Sequence, residues 1–198
     1  MSHKEAPKST VWRVFSAVEL PDFTRAQLRD HIERLRRDVP EVAASWSRVE
    51  SIHLTLKFFG HVPVDRVATI SAAAARAVRD LGPFEIRVGG TGVFPRPSRP
   101  QVLWIGVDDS TGKLLSLQQR FDEECARLGF GKEDRAFKPH LTIARIRKPE
   151  GSKHLADAHL RIQFKPVEIN VTQLIVFRSE LSPKGSKYTP VSRHELPR

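Results

Sequence analysis

The sequence predicts an α+β protein of two lobes: two antiparallel sheets related by a pseudo-twofold axis, flanked by helices around a central cleft. Two observations carry this expectation. The order strand, amphipathic helix, His-Leu-Thr strand, further strand occurs twice, with His53-Leu54-Thr55-Leu56 and His140-Leu141-Thr142-Ile143 at equivalent points of the two copies. A looser echo follows each tetrapeptide, FEIRVGGTGVF at Phe84 to Phe94 against VEINVTQLIVF at Val167 to Phe177. The copies span roughly residues 11–94 and 100–193 of a single domain, 11–198, behind a polar leader, 1–10, read as disordered.

Val11 to Val18 reads as a strand with mixed faces, stopped by Leu20-Pro21-Asp22, which supplies a helix N-cap. Phe23, Leu28, Ile32, Leu35 and Val39 then step at helical intervals, giving an amphipathic helix that ends near Pro40. His31, beside that stripe, reads as a surface or boundary residue. Trp46 to Val49 is short and extended, and Ile52 to Phe59 alternates as a strand that Gly60 ends. Pro63 to Leu81 is Ala-rich and helical until Gly82-Pro83. Phe84 to Val93 is a strand in which Gly89-Gly90 marks a bulge or close backbone approach. Phe94 to Pro100 (FPRPSRP) reads as a stiff basic connector.

In the second copy Val102 to Val107 is a strand, and Asp109-Ser110 caps a helix carrying Leu114, Leu117, Phe121, Cys125 and Leu128 on one face. Gly129 and Gly131 end it. His140 to Ile146 is the second motif strand, followed by a hydrophilic stretch to about Ala158 in which His154 and His159 read as solvated. Strand candidates run from Leu160 to Phe177, and a last strand lies around Tyr188 to Val191.

Composition narrows the function. No apolar run approaches the roughly 18 residues that cross a bilayer, and the first ten residues lack the apolar core of a secretory signal. A single cysteine, Cys125, excludes an intramolecular disulfide and a Cys-based metal site. A cytoplasmic protein fits both facts. The formal charge of +10 leaves two readings open, a polyanionic partner such as nucleic acid or a merely solvated basic surface.

The repeated motif carries the chemistry. Side chains i and i+2 of a strand share a face, so His53 projects with Thr55 and His140 with Thr142, while Leu54, Leu56, Leu141 and Ile143 back into the core. Two imidazoles and two hydroxyls brought together suit hydrolysis of a cyclic phosphodiester: one neutral imidazole takes a proton from water, one imidazolium protonates the departing alkoxide. The threonine hydroxyls donate to non-bridging phosphate oxygens. Zinc, the rival use of two histidines, wants three or four ligands, and neither motif carries Asp, Glu or Cys at a ligand spacing. His3, His61 and His194 belong to no pattern.

The segments VESIHLTLKFFG, FPRPSRPQVLWIGV, FKPHLTIARI and FRSELSPKGSKY resemble the characteristic blocks of the bacterial and archaeal RNA 2',3'-cyclic phosphodiesterases. These were formerly called 2'-5' RNA ligases and belong to the two-histidine phosphoesterase superfamily. The resemblance runs from about Val11 to Val191, with both tetrapeptides intact and Ile143 where Leu is common. It implies a bilobal two-histidine phosphoesterase fold without metal or other cofactor. The implied reaction converts 2',3'-cyclic phosphodiester ends of RNA or nucleotides into 2'-phosphomonoesters. It assigns His53 as proton donor and His140 as proton acceptor, which the symmetry of the motifs leaves open. It also places Arg145 near the phosphate, although strand parity alone turns Arg145 away from His140 and Thr142. Phe15 is a candidate base-stacking platform, with core packing the alternative. Two other functions remain beside hydrolysis: 2'-5' end joining, which is the same chemistry reversed, and a non-catalytic RNA-binding module. The expected partner is RNA or a nucleotide with a 2',3'-cyclic phosphate end, with no membrane, and the expected state is monomeric.

Overall fold

The computed structural model describes residues 10–182 and 185–198. The expected leader thus lies outside the described residues except for Thr10, whose carbonyl accepts a hydrogen bond from Val64 N at 3.0 Å.

In chain order the elements are β1 (Val11–Val18), α1 (Asp22–Asp38), β2 (Ala44–Trp46), β3 (Leu54–Pro63), α2 (Val67–Ala77), β4 (Phe84–Arg96) and β5 (Arg99–Asp108), then α3 (Lys113–Arg127), β6 (His140–Ile146), α4 (Ser152–Arg161), β7 (Val167–Val171), β8 (Gln173–Ser182) and β9 (Gly185–Glu195). Single 3-10 turns cover Val49–Ser51 and Val64–Arg66. The strands form two antiparallel sheets in the orders β3-β1-β8-β9 and β2-β6-β5-β4-β7. The expected α+β fold is therefore present, and each sheet draws strands from both halves of the chain.

Helical periodicity explains the layering. α1 buries Leu28, Ile32 and Leu35, while Phe23, expected in the same stripe, is 52% exposed. α3 buries Leu114, Leu117, Phe121 and Cys125, and the Asp109 carboxylate receives Leu115 N–H at 3.0 Å near its start. α2 packs on β8 and β9 and against α3, whereas α4 packs on β4 and β5 and against α1. Leu54 and Leu141, in the middle of the two motifs, are completely buried beneath these layers. Burying such a side chain stabilises by about 2 kcal/mol.

Several elements depart from expectation, each for a physical reason. β3 does not end at Gly60 but bends there, at φ +72°, and continues to pair with β1 as far as Pro63. The FPRPSRP segment is not a connector but the tip of a hairpin, with Pro95 opposite Pro100 and Arg96 opposite Arg99. Its prolines are tolerated because β6 reaches only to Val102 of β5, so no third strand needs their missing N–H groups. The hydrophilic stretch before Ala158 folds as α4, because Leu155, Ala156 and Ala158 give it one apolar face. Strand structure after it starts at Val167, not at Leu160.

His31 and His159 are likewise buried, at 6% and 0% exposure, where a surface and a solvated position were expected. They satisfy one another: His31 Nε2–H donates to His159 Nδ1 at 3.1 Å, and His159 Nε2–H donates to the Trp104 carbonyl at 3.1 Å. Burial, reinforced by His159 and Arg34, pushes the His31 imidazole down to about 4. Burial lowers His159 as well, so the pair packs as neutral rings.

Candidate active site

The inner faces of the two sheets enclose a cleft of about 640 Å3. On the first sheet β1 turns Phe15 and Ala17 to the cleft side, where they form a small apolar floor with Ile175 and Phe177 of β8. His53 enters immediately before β3 and lies flat on Phe15, with ring centroids 4.5 Å apart and planes inclined 24°. Tyr188 of β9 meets the imidazole edge-on at 5.1 Å. The His53 Nδ1–H donates to the Ser51 carbonyl at 2.8 Å, which leaves Nε2 as the ring nitrogen not engaged by that bond. Arg25 of α1 braces the approach, its guanidinium donating to the carbonyls of Val49 (2.9 Å), Glu50 (3.1 Å) and Ile52 (3.2 Å).

The second sheet repeats the arrangement. His140 Nδ1–H donates to the Lys138 carbonyl at 2.7 Å, again two residues back, and again Nε2 is the ring nitrogen not engaged by that bond. Phe94 of β4 stands edge-on to this imidazole at 5.1 Å. Beneath lies Trp104, whose ring crosses Gly92 so closely that a Cβ there would sit 2.0 Å from it. Thr55 and Thr142 line the same cleft as both histidines, so all four motif side chains meet. Burial pushes His53 down to about 4; the Ser51 carbonyl opposes the shift and the Arg25 charge adds to it.

A matched irregularity corrects the strand parity. Between Ser16/Ala17 of β1 the partner on β3 jumps from Lys57 to Thr55, leaving Leu56 as a bulge. Between Leu103/Trp104 of β5 the partner on β6 jumps from Ala144 to Thr142, leaving Ile143 as a bulge. Each extra residue reverses the alternation, so Leu56 and Lys57 are buried in succession, as are Ile143 and Ala144. The third residue after each threonine therefore faces the cleft again. In the first motif this is Phe58, 48% exposed with Arg13 stacked at 4.8 Å from its centre. In the second it is Arg145, which lines the cleft with His140 and Thr142.

The family model described as 2'-5' RNA ligase superfamily matches residues 24–182. The chain belongs to the 2'-5' RNA ligase superfamily. Among curated proteins it is 35% identical over 187 residues to an RNA 2',3'-cyclic phosphodiesterase of Methanothermobacter thermautotrophicus, covering 93% of this chain and 98% of that one. It is 32% identical over 177 residues to an RNA 2',3'-cyclic phosphodiesterase of Thermotoga maritima, covering 89% and 91%. Among solved structures, a Thermus thermophilus protein superposes with a TM-score of 0.76 at 29% identity, over 93% of this chain and 97% of that one. E. coli LigT complexed with 3'-AMP gives a TM-score of 0.72 at 25% identity, over 96% and 100%.

This member of the superfamily fastens its two motifs together through a buried ion pair. The bulge at Leu56 turns Lys57 inward, where its ammonium bonds the Asp122 carboxylate of α3 and donates to the Gly131 carbonyl at 2.7 Å. Asp122 also receives Glu133 N–H at 3.3 Å. The 131–139 segment that delivers Lys138 and His140 is thus tied to the strand of His53. Among the described residues no cluster of three or more His, Cys, Asp or Glu side chains is placed to hold a metal ion, and no helix is long and apolar enough to cross a membrane.

Sequence reasoning singled out Phe15, but at 3% exposure its ring is covered by His53, Phe177 and Tyr188. It missed Phe58, Phe94, Ser47, Ser179, Arg13, Arg135 and Tyr188, all on the cleft wall. Tyr188 had a signal, as the chain's single tyrosine within a mostly polar strand. Phe58 had none, because only the bulge brings it to the cleft.

Proposed function

We propose that the protein hydrolyses 2',3'-cyclic phosphodiester ends of RNA or nucleotides to 2'-phosphomonoesters by two-histidine acid–base catalysis without a metal. One observation carries this reading: two imidazoles face one cleft, each with Nδ1–H spent on the carbonyl two residues back and Nε2 left to move a proton. The names of the curated relatives supply the substrate class.

In this mechanism Thr55, Thr142 and Arg145 hold the non-bridging oxygens and offset the charge that builds on them. His140 Nε2 accepts a proton from water as the water oxygen bonds phosphorus. His53 Nε2–H donates a proton to O3' as the P–O3' bond breaks, leaving a 2'-phosphate and a free 3'-hydroxyl. Burial keeps His53 neutral in the free protein, so the donor role requires the phosphodiester anion to raise its affinity for a proton. The half-exposed Phe58 is the platform for the base in place of Phe15. End joining shares these steps in reverse, and water in vast excess favours hydrolysis. The cleft is built by one chain, so a monomer suffices.

The depressed His53 supports one variant of this scheme, with His53 as the base and His140 as the acid. For a given orientation of the ribose, product identity separates the two. Incubation with a 2',3'-cyclic mononucleotide, followed by phosphorus NMR against the 2'- and 3'-monophosphates, is expected to give the 2' product at equal rates with and without EDTA. A predominant 3' product exchanges the two roles or reverses the ribose in the cleft, loss in EDTA restored by zinc replaces the mechanism with a metal site, and no turnover overturns the proposal.

A further inference from the structure

The strands that carry the cleft overshoot it on one side. β5 pairs with β6 only from Val102 onward, so Arg99 to Gln101, with Pro95 and Arg96 opposite, form a two-stranded arm standing beyond the sheet. The arm rises from the cleft rim, since Phe94 and Val102 at its base line the cleft beside Arg145. Pro95, Pro97 and Pro100, each fixed at a φ of about −65°, keep it stiff.

At the tip Arg96 stands directly opposite Arg99, both exposed. Like charges directly opposed across a strand pair are destabilising, and among the described residues neither guanidinium has a carboxylate partner. An anion between them converts that repulsion into attraction. The neighbouring β6 and the residue that follows it supply more of the same charge. Arg145 is exposed, Ile146 buried and Arg147, the first residue past the strand, exposed, so Arg147 follows Arg145 within about 7 Å along the chain. Its Nε donates to Ser45 Oγ at 3.0 Å, which fixes the side chain without neutralising it.

We propose that Arg147, Arg96 and Arg99 form a phosphate track for the RNA strand leading to the cyclic end, continuing from Arg145 at the reacting phosphate. This rests on the function proposed above and adds a subsite to it. The ligand class is a polyribonucleotide backbone: charges repeated along one direction away from the cleft match phosphates in series, and guanidinium forks bind phosphate oxygens two at a time. A mononucleotide reaches only the first of these groups. The arm therefore makes the protein prefer an RNA end over a free cyclic nucleotide.

The test compares a 2',3'-cyclic mononucleotide with a short oligoribonucleotide bearing the same end. R96Q/R99Q removes the arm's charge, and R36Q/R37Q removes equal charge from exposed positions on α1, outside the cleft. Two single-strand phosphate contacts contribute about −1.4 to the slope of log affinity against log salt. Oligonucleotide kcat/KM of R96Q/R99Q, lowered through KM, should thus lose about sevenfold less than wild type between about 50 and 200 mM salt. R36Q/R37Q should follow wild type, and mononucleotide turnover should stay within about twofold for both variants. Wild-type cleavage of both substrates with R96Q/R99Q indistinguishable from R36Q/R37Q overturns the track alone. Wild-type cleavage of neither substrate overturns the functional proposal, and the track with it.

Discussion

Lys57→Met tests the tie between the two motifs. Lys57 is 7% exposed and Asp122 9%, so the substitution leaves a carboxylate behind with almost no access to water. Breaking a buried pair from one side costs about 3–5 kcal/mol, and the Gly131 carbonyl loses its donor at about 1 kcal/mol more. From the lower end of that range a loss of about 4 kcal/mol is expected, a large share of the roughly 5–15 kcal/mol that holds a typical domain together. Asp122→Leu added to Lys57→Met removes the stranded charge as well, and replacing both partners of a buried pair by apolar groups is often neutral. The double variant is therefore expected to recover most of the loss. Urea unfolding followed by tryptophan fluorescence reads both values; with an m-value of about 2 kcal/mol/M the single variant's midpoint falls by about 2 M. A midpoint within about 0.5 M of wild type would refute the coupling of Lys57 to Asp122, and a double variant no more stable than the single would refute the stranded Asp122 charge as the cause of the loss.

Three further outcomes follow from the site. His53→Ala and His140→Ala should each lower cyclic-phosphate turnover by about 10²–10⁴-fold with an unchanged circular dichroism spectrum; either variant near the wild-type rate removes that histidine from catalysis. Arg145→Gln should lower kcat/KM by about tenfold or more, by loss of a charge-assisted contact worth about 1.5–3 kcal/mol, whereas a parity-obeying Arg145 pointing away from the cleft predicts no change. Stability should depend on pH through His31: its folded pKa of about 4 lies below the ordinary 6.5, so the unfolded chain binds more protons between these values. The His31 contribution is complete above about pH 6.5 and is lost as pH falls toward 4, by up to about 3 kcal/mol at 1.36 kcal/mol per unit. His31→Gln should flatten that slope in unfolding measured at pH 4 and pH 7, and an unchanged slope would place the titration elsewhere.

Much of the site was legible because the duplication repeats a short pattern at full strength. His53, Thr55, His140 and Thr142 share a face by the two-residue period of a strand, and nothing in the structure disturbs that first step. The period then fails at Leu56 and Ile143, because a bulge is a matter of pairing with the neighbouring strand and leaves no mark in a single apolar residue. That is why parity turned Arg145 the wrong way and why Phe58 was passed over. Histidines outside the motifs were misread for a related reason. His31 and His159 are polar by type, yet each supplies the hydrogen bond that lets the other be buried, a relation between residues distant in sequence. The α4 segment read as hydrophilic because a few buried apolar positions are enough to seat a short helix on a sheet when tertiary packing supplies the rest.

The interleaving of the sheets bears on how the molecule is made. β1, made before β8, is inside its sheet and needs β8 as its second neighbour. β4, from the first half, waits in the same way for β5 and β7. Nascent chain stopped at the β4–β5 turn would carry β1 with one side unpaired and β4 with both, open edges of the kind that invite aggregation. Each lobe is completed by strands from the other half of the chain, so a truncated translation product is no half-sized enzyme. The sheet that carries His53 is complete only when translation has passed β8 and β9, and synthesis itself thereby leaves the cleft unfinished in incomplete chains.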